Sequence, residues 1–148
     1  MATLIKFFHL AAAIVWMGGI GFMLFALRPA AAATLPPPQR LPLIAATLQR
    51  FFSIVWATIA VLLLSGLTML LAVGMKNAPL GSHLMFGIGL LMFALFGHLY
   101  FGPYKRLARA VAASDWPAGG VQMLKIPKLA MANFVLGWIA IAAVRFLA

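Results

Sequence analysis

Four long apolar runs, separated by short polar segments, dominate the chain. They cover residues 4–27, 51–73, 80–101 and 126–147. Each run is close to the roughly 20 residues that a helix needs to cross the hydrocarbon core of a bilayer. Because lipid offers the backbone no hydrogen-bond partner, such runs must be helical. The predicted fold is all-α: a polytopic four-helix membrane bundle, forming one domain over residues 1–148.

The polar segments predict how these helices are connected. The proline-rich segment 35–42 predicts a stiff spacer, and residues 43–50 predict a short interfacial helix. Residues 74–79 predict a tight turn, so the second and third helices should form an antiparallel hairpin. A second interfacial helix is expected to run through Arg109, and Asp115 followed by Pro117 is typical of a helix N-terminus.

The charges flank the apolar runs rather than interrupting them. The net charge is +10, and Asp115 is the single acidic residue. Eight cations lie in the first and third connections and three on the other side; the eight are Arg28, Arg40, Arg50, Lys105, Arg106, Arg109, Lys125 and Lys128. The positive-inside rule therefore predicts a bacterial inner-membrane protein with both termini periplasmic. Nucleic-acid binding is not expected.

The composition narrows the possible chemistry. Charged residues make up 8% of the chain, against about 25% in soluble domains. No cysteine is present, which excludes disulfides and thiolate metal sites. With one carboxylate in the chain, acid–base catalysis is not expected and no catalytic residue is identified. The N-terminal run exceeds the roughly 7–15 apolar residues of a signal peptide, so we expect it to be retained as a membrane helix.

Three histidines are the main candidates for chemistry, because ionisable residues in lipid are costly. His9 and His83 are predicted at similar depth near the outer face. His98 lies fifteen residues beyond His83, about 22 Å along the same helix. Two facing imidazoles can fill both axial positions of a haem iron. The spacing therefore suggests one haem b per chain, ligated by His9 and His83, with His98 outside the site.

Residues around these histidines fit a porphyrin. Gly87 follows His83 by about one helical turn, Ala13 follows His9, and Trp16 lies on nearly the same face as His9. Small residues would let a porphyrin edge approach the backbone. Small residues in membrane helices also commonly serve helix packing, which is the plainer interpretation.

Copper is the alternative ligand. Met75, His83 and Met85 are predicted to cluster near the outer face, with Met69 and His9 within reach. Thioether and imidazole ligands suit Cu(I). Methionine is also ordinary core filler, and the nine methionines show no repeated spacing.

The segment from His9 through Trp16 to Gly19 resembles the first-helix signature of small CopD-like membrane proteins. It is also similar to that of HemJ-type protoporphyrinogen oxidases. The similarity to the CopD-like group extends along most of the chain, in residues 28–29, 38–42, 65–66, 83–85 and 100–106. The CopD resemblance implies copper uptake or resistance. The HemJ resemblance implies four helices, haem b bound by His9, and porphyrinogen oxidation.

One departure from the HemJ pattern affects this expectation. That family has a functional lysine in a later helix, whereas this chain has no lysine between Lys76 and Lys105 and offers His83 instead. The resemblance to HemJ-type proteins is therefore not enough to predict porphyrinogen oxidation by this chain. Any enzymatic activity would be that of a haem-dependent membrane oxidoreductase.

Three functions follow as hypotheses. The main one is electron transfer through haem b, between quinol or porphyrinogen in the bilayer and a partner protein or oxygen. The first alternative is a copper-handling membrane protein. The second is a cofactor-free accessory subunit of a larger membrane complex. The small-residue faces also make a homodimer plausible.

Overall fold

Four long helices form the fold. In the computed structural model, which describes residues 1–147, we label them α1 (Ala2–Thr34), α2 (Pro37–Val73), α3 (Leu80–Ala112) and α4 (Trp116–Phe146). Each is long and apolar enough to cross a membrane, and no strand occurs in this part of the chain. The predicted all-α, four-helix membrane fold is confirmed.

The helices are longer than the apolar runs that predicted them. The expected interfacial helices are present as helical turns, but they continue directly into α2 and α3 instead of standing apart. The 37 residues of α2 span about 55 Å, well beyond the ~30 Å hydrocarbon core. The ends of the helices therefore extend past the hydrocarbon region.

Prolines explain two local changes in helix geometry. A π-helical turn covers Met23–Leu27 just before Pro29, and a second covers Tyr100–Tyr104 and includes Pro103. Proline has no N–H to donate to the preceding turn, and a wider turn accommodates its ring without ending the helix. As predicted, Asp115 caps the N-terminus of α4: its carboxylate accepts a hydrogen bond from the Ala118 N–H at 3.1 Å.

The helices pack as two pairs, α1 with α2 and α3 with α4. The backbones of α3 and α4 approach each other closely at Gly81, whose N–H donates to the carbonyl of Leu147 at 3.0 Å. A β-carbon at Gly81 would collide with the carbonyl oxygen of Ala143. Although α2 and α3 are consecutive, they contact each other little. The resulting gap between the pairs creates the main cavity.

The two ends of the bundle differ in charge and packing. The terminal end carries the starts of α1 and α3 and the ends of α2 and α4. The basic end carries the eight cations of the first and third connections. Its interior is closed by an aromatic cluster in which the Phe52 ring lies 5.2 Å from Phe96 and 5.0 Å from Tyr104, between centroids. Which end faces the cytoplasm stays a prediction from charge.

Candidate functional site

A cavity of about 450 Å³ opens inside the bundle toward the terminal end. All four helices and the turn between α2 and α3 line it, and most of its wall is apolar. Few side chains there can form hydrogen bonds or bind a metal. They are Lys6, His9, Ser82, the indole N–H of Trp16, and the sulfurs of Met17, Met69, Met85 and Met92. We call this space the outer cavity.

His9 is held in the wall of the outer cavity by a hydrogen bond to α2. Its Nδ1 lies 2.7 Å from the Oγ of Ser65, which is buried. The Ser65 hydroxyl also lies 2.5 Å from the carbonyl of Val61 and 3.3 Å from that of Leu62. When it donates its one proton to a carbonyl, its Oγ can accept a hydrogen bond from His9 only in the tautomer that carries the proton on Nδ1. Nε2 is left with a free lone pair, the form that binds metals.

Gly66 allows His9 to pack closely against α2. A β-carbon at Gly66 would lie 3.4 Å from His9 Cε1 and 3.9 Å from Nδ1. A larger side chain at this position would therefore displace the imidazole. The adjacent pair Ser65 and Gly66 thus supplies both the hydrogen bond and the space that fix the histidine.

Trp16 forms the floor of the outer cavity. It is 3% exposed, stacks on Phe93 at 5.8 Å between ring centroids, and meets the edge of Phe96 at 6.2 Å. These rings separate the outer cavity from the packed basic half. The rigid aromatic floor limits how deeply a ligand can enter.

The methionines of the outer cavity lie at two depths. Met69 and Met85 are close to the terminal end, at a depth similar to that of His9. Met17 and Met92 lie deeper, where the ends of both side chains would meet a β-carbon built on Gly137. The upper level therefore combines one imidazole with two thioethers, and the lower level offers thioethers alone.

The structure does not bring His83 to His9. The side chain of His83 is exposed on the outside of α3, and Gly87, one turn later, is exposed with nothing within 4 Å of a β-carbon built on it. The face of α3 that lines the cavity carries Ser82, Met85 and Phe86, which point roughly opposite to Gly87 on a helix of 3.6 residues per turn. The predicted pair of axial histidines is therefore not assembled within this chain.

The remaining predicted residues divide between the inside and the outside of the bundle. Ala13, Trp16 and Met85 line the outer cavity. Met75 is 55% exposed in the turn after α2 and does not line the outer cavity with Met85. His98, expected to lie outside the site, is exposed on α3.

Several residues of the site were not predicted from the sequence. Met17, Met92 and Ser82 were not identified as lining residues, and Ser65 was not identified as the partner of His9. One available signal was the spacing of residues 82, 85, 86, 89, 92 and 93, which all lie on one face of α3. The prediction of a haem site requires the opposite face, with Gly87 and His83, to be the inner one, and the structure places that face outside.

The described part of the chain contains no group of three or more histidine, cysteine or acidic residues that could hold a metal ion. A metal in the outer cavity would therefore need thioether ligands beside the single imidazole. This donor set suits a soft monovalent ion and does not suit Zn²⁺, Mg²⁺ or Ca²⁺.

Comparison with known families decides the classification. The model of the family described as "Copper resistance protein D" matches residues 45–147. The chain belongs to the copper resistance protein D family. The match begins in α2 and includes Ser65, Met69 and Met85, whereas His9 lies before it. No curated protein and no solved structure matches the chain. The resemblance to HemJ-type oxidases stays a prediction.

Proposed function

We propose that this copper resistance protein D family member binds Cu(I) in the outer cavity, through His9 Nε2 and the thioethers of Met69 and Met85. The observation that carries this proposal is the 2.7 Å contact of His9 Nδ1 with Ser65 Oγ in the wall of a cavity lined with methionines. With the imidazole proton on Nδ1, Nε2 has a free lone pair for the metal. Imidazole and thioether are ligands that Cu(I) accepts readily. Neither Cu²⁺ nor a hard divalent cation would gain as much from this set.

The surroundings of these ligands favour a copper-handling role in the membrane. Apart from Lys6 and Ser82, the rest of the upper wall is apolar, and a soft monovalent ion loses less hydration free energy on leaving water than a hard divalent one. The deeper pair, Met17 and Met92, offers the ion further thioethers. Lys6 is the only charged side chain that lines the cavity among the described residues, and it lies near the terminal end.

Direct titration tests the methionine part of the proposal. The detergent-purified full chain would compete with a chromophoric Cu(I) chelator under anaerobic, reducing conditions. We expect about one Cu(I) per chain, and weaker binding in Met69→Leu and Met85→Leu. Met75→Leu is the matched control, because Met75 lies outside the cavity. Equal binding by all three variants would contradict the proposed ligand set.

X-ray absorption of the Cu(I)-loaded chain gives an independent test. The expected first shell contains one nitrogen and two sulfur atoms. In Met85→Leu, the sulfur count should fall by one while the nitrogen stays. A first shell of nitrogen and oxygen alone would place copper elsewhere on the chain.

Haem b is the second candidate, because a cavity of about 450 Å³ is far larger than one ion and the stacked Trp16 and Phe93 give it a flat apolar wall. His9 would supply one axial nitrogen, and a methionine sulfur would have to replace His83. The electron-transfer hypothesis depends on this candidate. A reduced-minus-oxidised visible spectrum separates the two: sharp haem bands that disappear in His9→Ala favour haem, and a colourless chain that binds Cu(I) favours copper.

A chain that binds neither Cu(I) nor haem would leave the third hypothesis, a cofactor-free accessory subunit. In that case the variants of His9 and the cavity methionines should change neither a metal titration nor a spectrum. Their effects would appear only in assembly with a partner subunit.

A further inference from the structure

A second, much smaller cavity lies beneath Trp16, on the side of the basic end. Its volume is about 50 Å³, and on α4 it extends from Met123 past Pro127 and Ala130 to Asn133. The ten helical steps from Met123 to Asn133 correspond to about 15 Å. The space is therefore narrow and elongated; we call it the inner cavity. Trp16 lines both cavities, so one indole separates them.

Asn133 places an unpartnered acceptor in the wall of this cavity. Its side chain is 2% exposed, and its Nδ2 donates to the carbonyl of Met92 at 3.2 Å. Its Oδ1 has no hydrogen-bond partner among the described residues. A buried amide oxygen without a partner destabilises the fold, and lipid tails around a membrane helix offer no atom that could donate to it.

Pro127 adds a second acceptor to the same wall. Proline has no N–H, so the carbonyl of Met123, four residues earlier, lacks its normal helical partner. Met123 and Pro127 both line the inner cavity. Met123 and Asn133, each with an oxygen acceptor that lacks its usual donor, therefore line the same narrow space.

Arg28 identifies the kind of donor. It also lines the inner cavity, and its positive charge disfavours a cation there. A neutral molecule that can both donate and accept hydrogen bonds could serve all three groups. It would donate to the oxygens of Asn133 and Met123 and accept from the guanidinium group of Arg28. A water molecule needs roughly 10–15 Å³ of such volume and two to four polar partners, and the inner cavity supplies both.

We propose that the inner cavity is a water site, in which one or a few water molecules connect Asn133 Oδ1 with the Met123 carbonyl and Arg28. Water would then reach the middle of the bundle from the basic end and stop at Trp16. This inference is independent of what binds beside His9, since it uses none of the ligands in the outer cavity.

The chain contains only two asparagines, Asn77 and Asn133, which makes a direct test possible. With ¹⁵N in asparagine side chains, the full protein in lipid bilayers should give two amide signals. Solid-state NMR can then measure how fast water-proton magnetisation reaches each one. Asn77 lies exposed in the turn after α2 and is the wetted reference, whereas the indole N–H of Trp138, 56% exposed on the outside of α4, is the lipid-facing reference.

We expect transfer to Asn133 at a rate close to that of Asn77 and at least several-fold faster than that of Trp138. Ala130→Val should fill part of the inner cavity and slow the transfer to Asn133 several-fold, while Ala132→Val, on the exposed side of α4, should not. Transfer to Asn133 as slow as to Trp138 would overturn the proposal. Fast transfer that Ala130→Val leaves unchanged would also overturn it, because the water would then lie elsewhere.

Discussion

His9 and His83 lie at comparable depth on α1 and α3, yet their surroundings have almost nothing in common. His9 is half-buried, bonded to Ser65 and faces a cavity that contains sulfur ligands. His83 is exposed on the outside of α3. One turn later, Gly87 is also exposed, with nothing within 4 Å of a β-carbon built on it. A coordination site needs several ligands around one point. The direction in which each histidine points, rather than its depth, therefore decides which of them can take part.

The largest expected effect concerns two tryptophans, one inside the bundle and one outside. Trp16→Ala removes a fully packed ring from the floor of the outer cavity and should destabilise the protein by about 3–5 kcal/mol. Trp138→Ala, at a residue 56% exposed, should cost far less. Thermal unfolding in detergent or lipid measures both. Similar losses for the two variants would show that the inside and outside of the bundle are assigned incorrectly.

Two glycines on α3 give the next test. Gly81→Ala would drive a β-carbon into the backbone of α4 at Ala143, with an expected loss of about 1–3 kcal/mol. Gly87→Ala meets nothing within 4 Å and should be neutral or stabilise the helix by up to about 1 kcal/mol. Thermal unfolding of both variants measures the difference in stability. A destabilised Gly87→Ala would indicate that the outer face of α3 is covered, as in a homodimer.

The smallest of the three effects concerns Ser65, which orients His9 without being a proposed ligand. Ser65→Ala removes the acceptor that keeps the proton on Nδ1, so Cu(I) affinity should fall by about tenfold. The stability of the protein should change little, because alanine fills most of the same space. Thr58→Ala is a useful control, since Thr58 is another buried hydroxyl of α2 and lines neither cavity. Equal Cu(I) affinities for wild type and Ser65→Ala would show that Ser65 does not position His9 for metal binding.

The four helices could be predicted from the sequence because a span is read from length and apolarity alone. The depth of each residue in the membrane could also be predicted, since it depends only on how many residues separate it from the end of its helix. Helix ends were less accurate: α2 continues through Pro42, and α3 passes Pro103 by a π-helical turn. Proline is a reliable stop signal only where no neighbouring packing or wider turn accommodates its ring.

The faces of the helices were the part that could not be predicted. In a soluble helix, polar residues mark the outside, but in a membrane helix both faces are apolar. On α3, the sequence around His83 and Gly87 resembles an inner face, because small residues are common wherever helices pack. The hydrogen bond between His9 and Ser65 was equally hidden, since 56 residues separate the two and nothing local connects them.

A Cu(I) titration of wild type, His9→Ala and His83→Ala, run in parallel on the purified full chain, tests the central claim most directly. We expect one Cu(I) per wild-type chain and unchanged binding in His83→Ala. In His9→Ala, affinity should fall by more than the roughly 10–100-fold that losing an outer-shell partner causes. Intact binding in His9→Ala together with lost binding in His83→Ala would contradict the account.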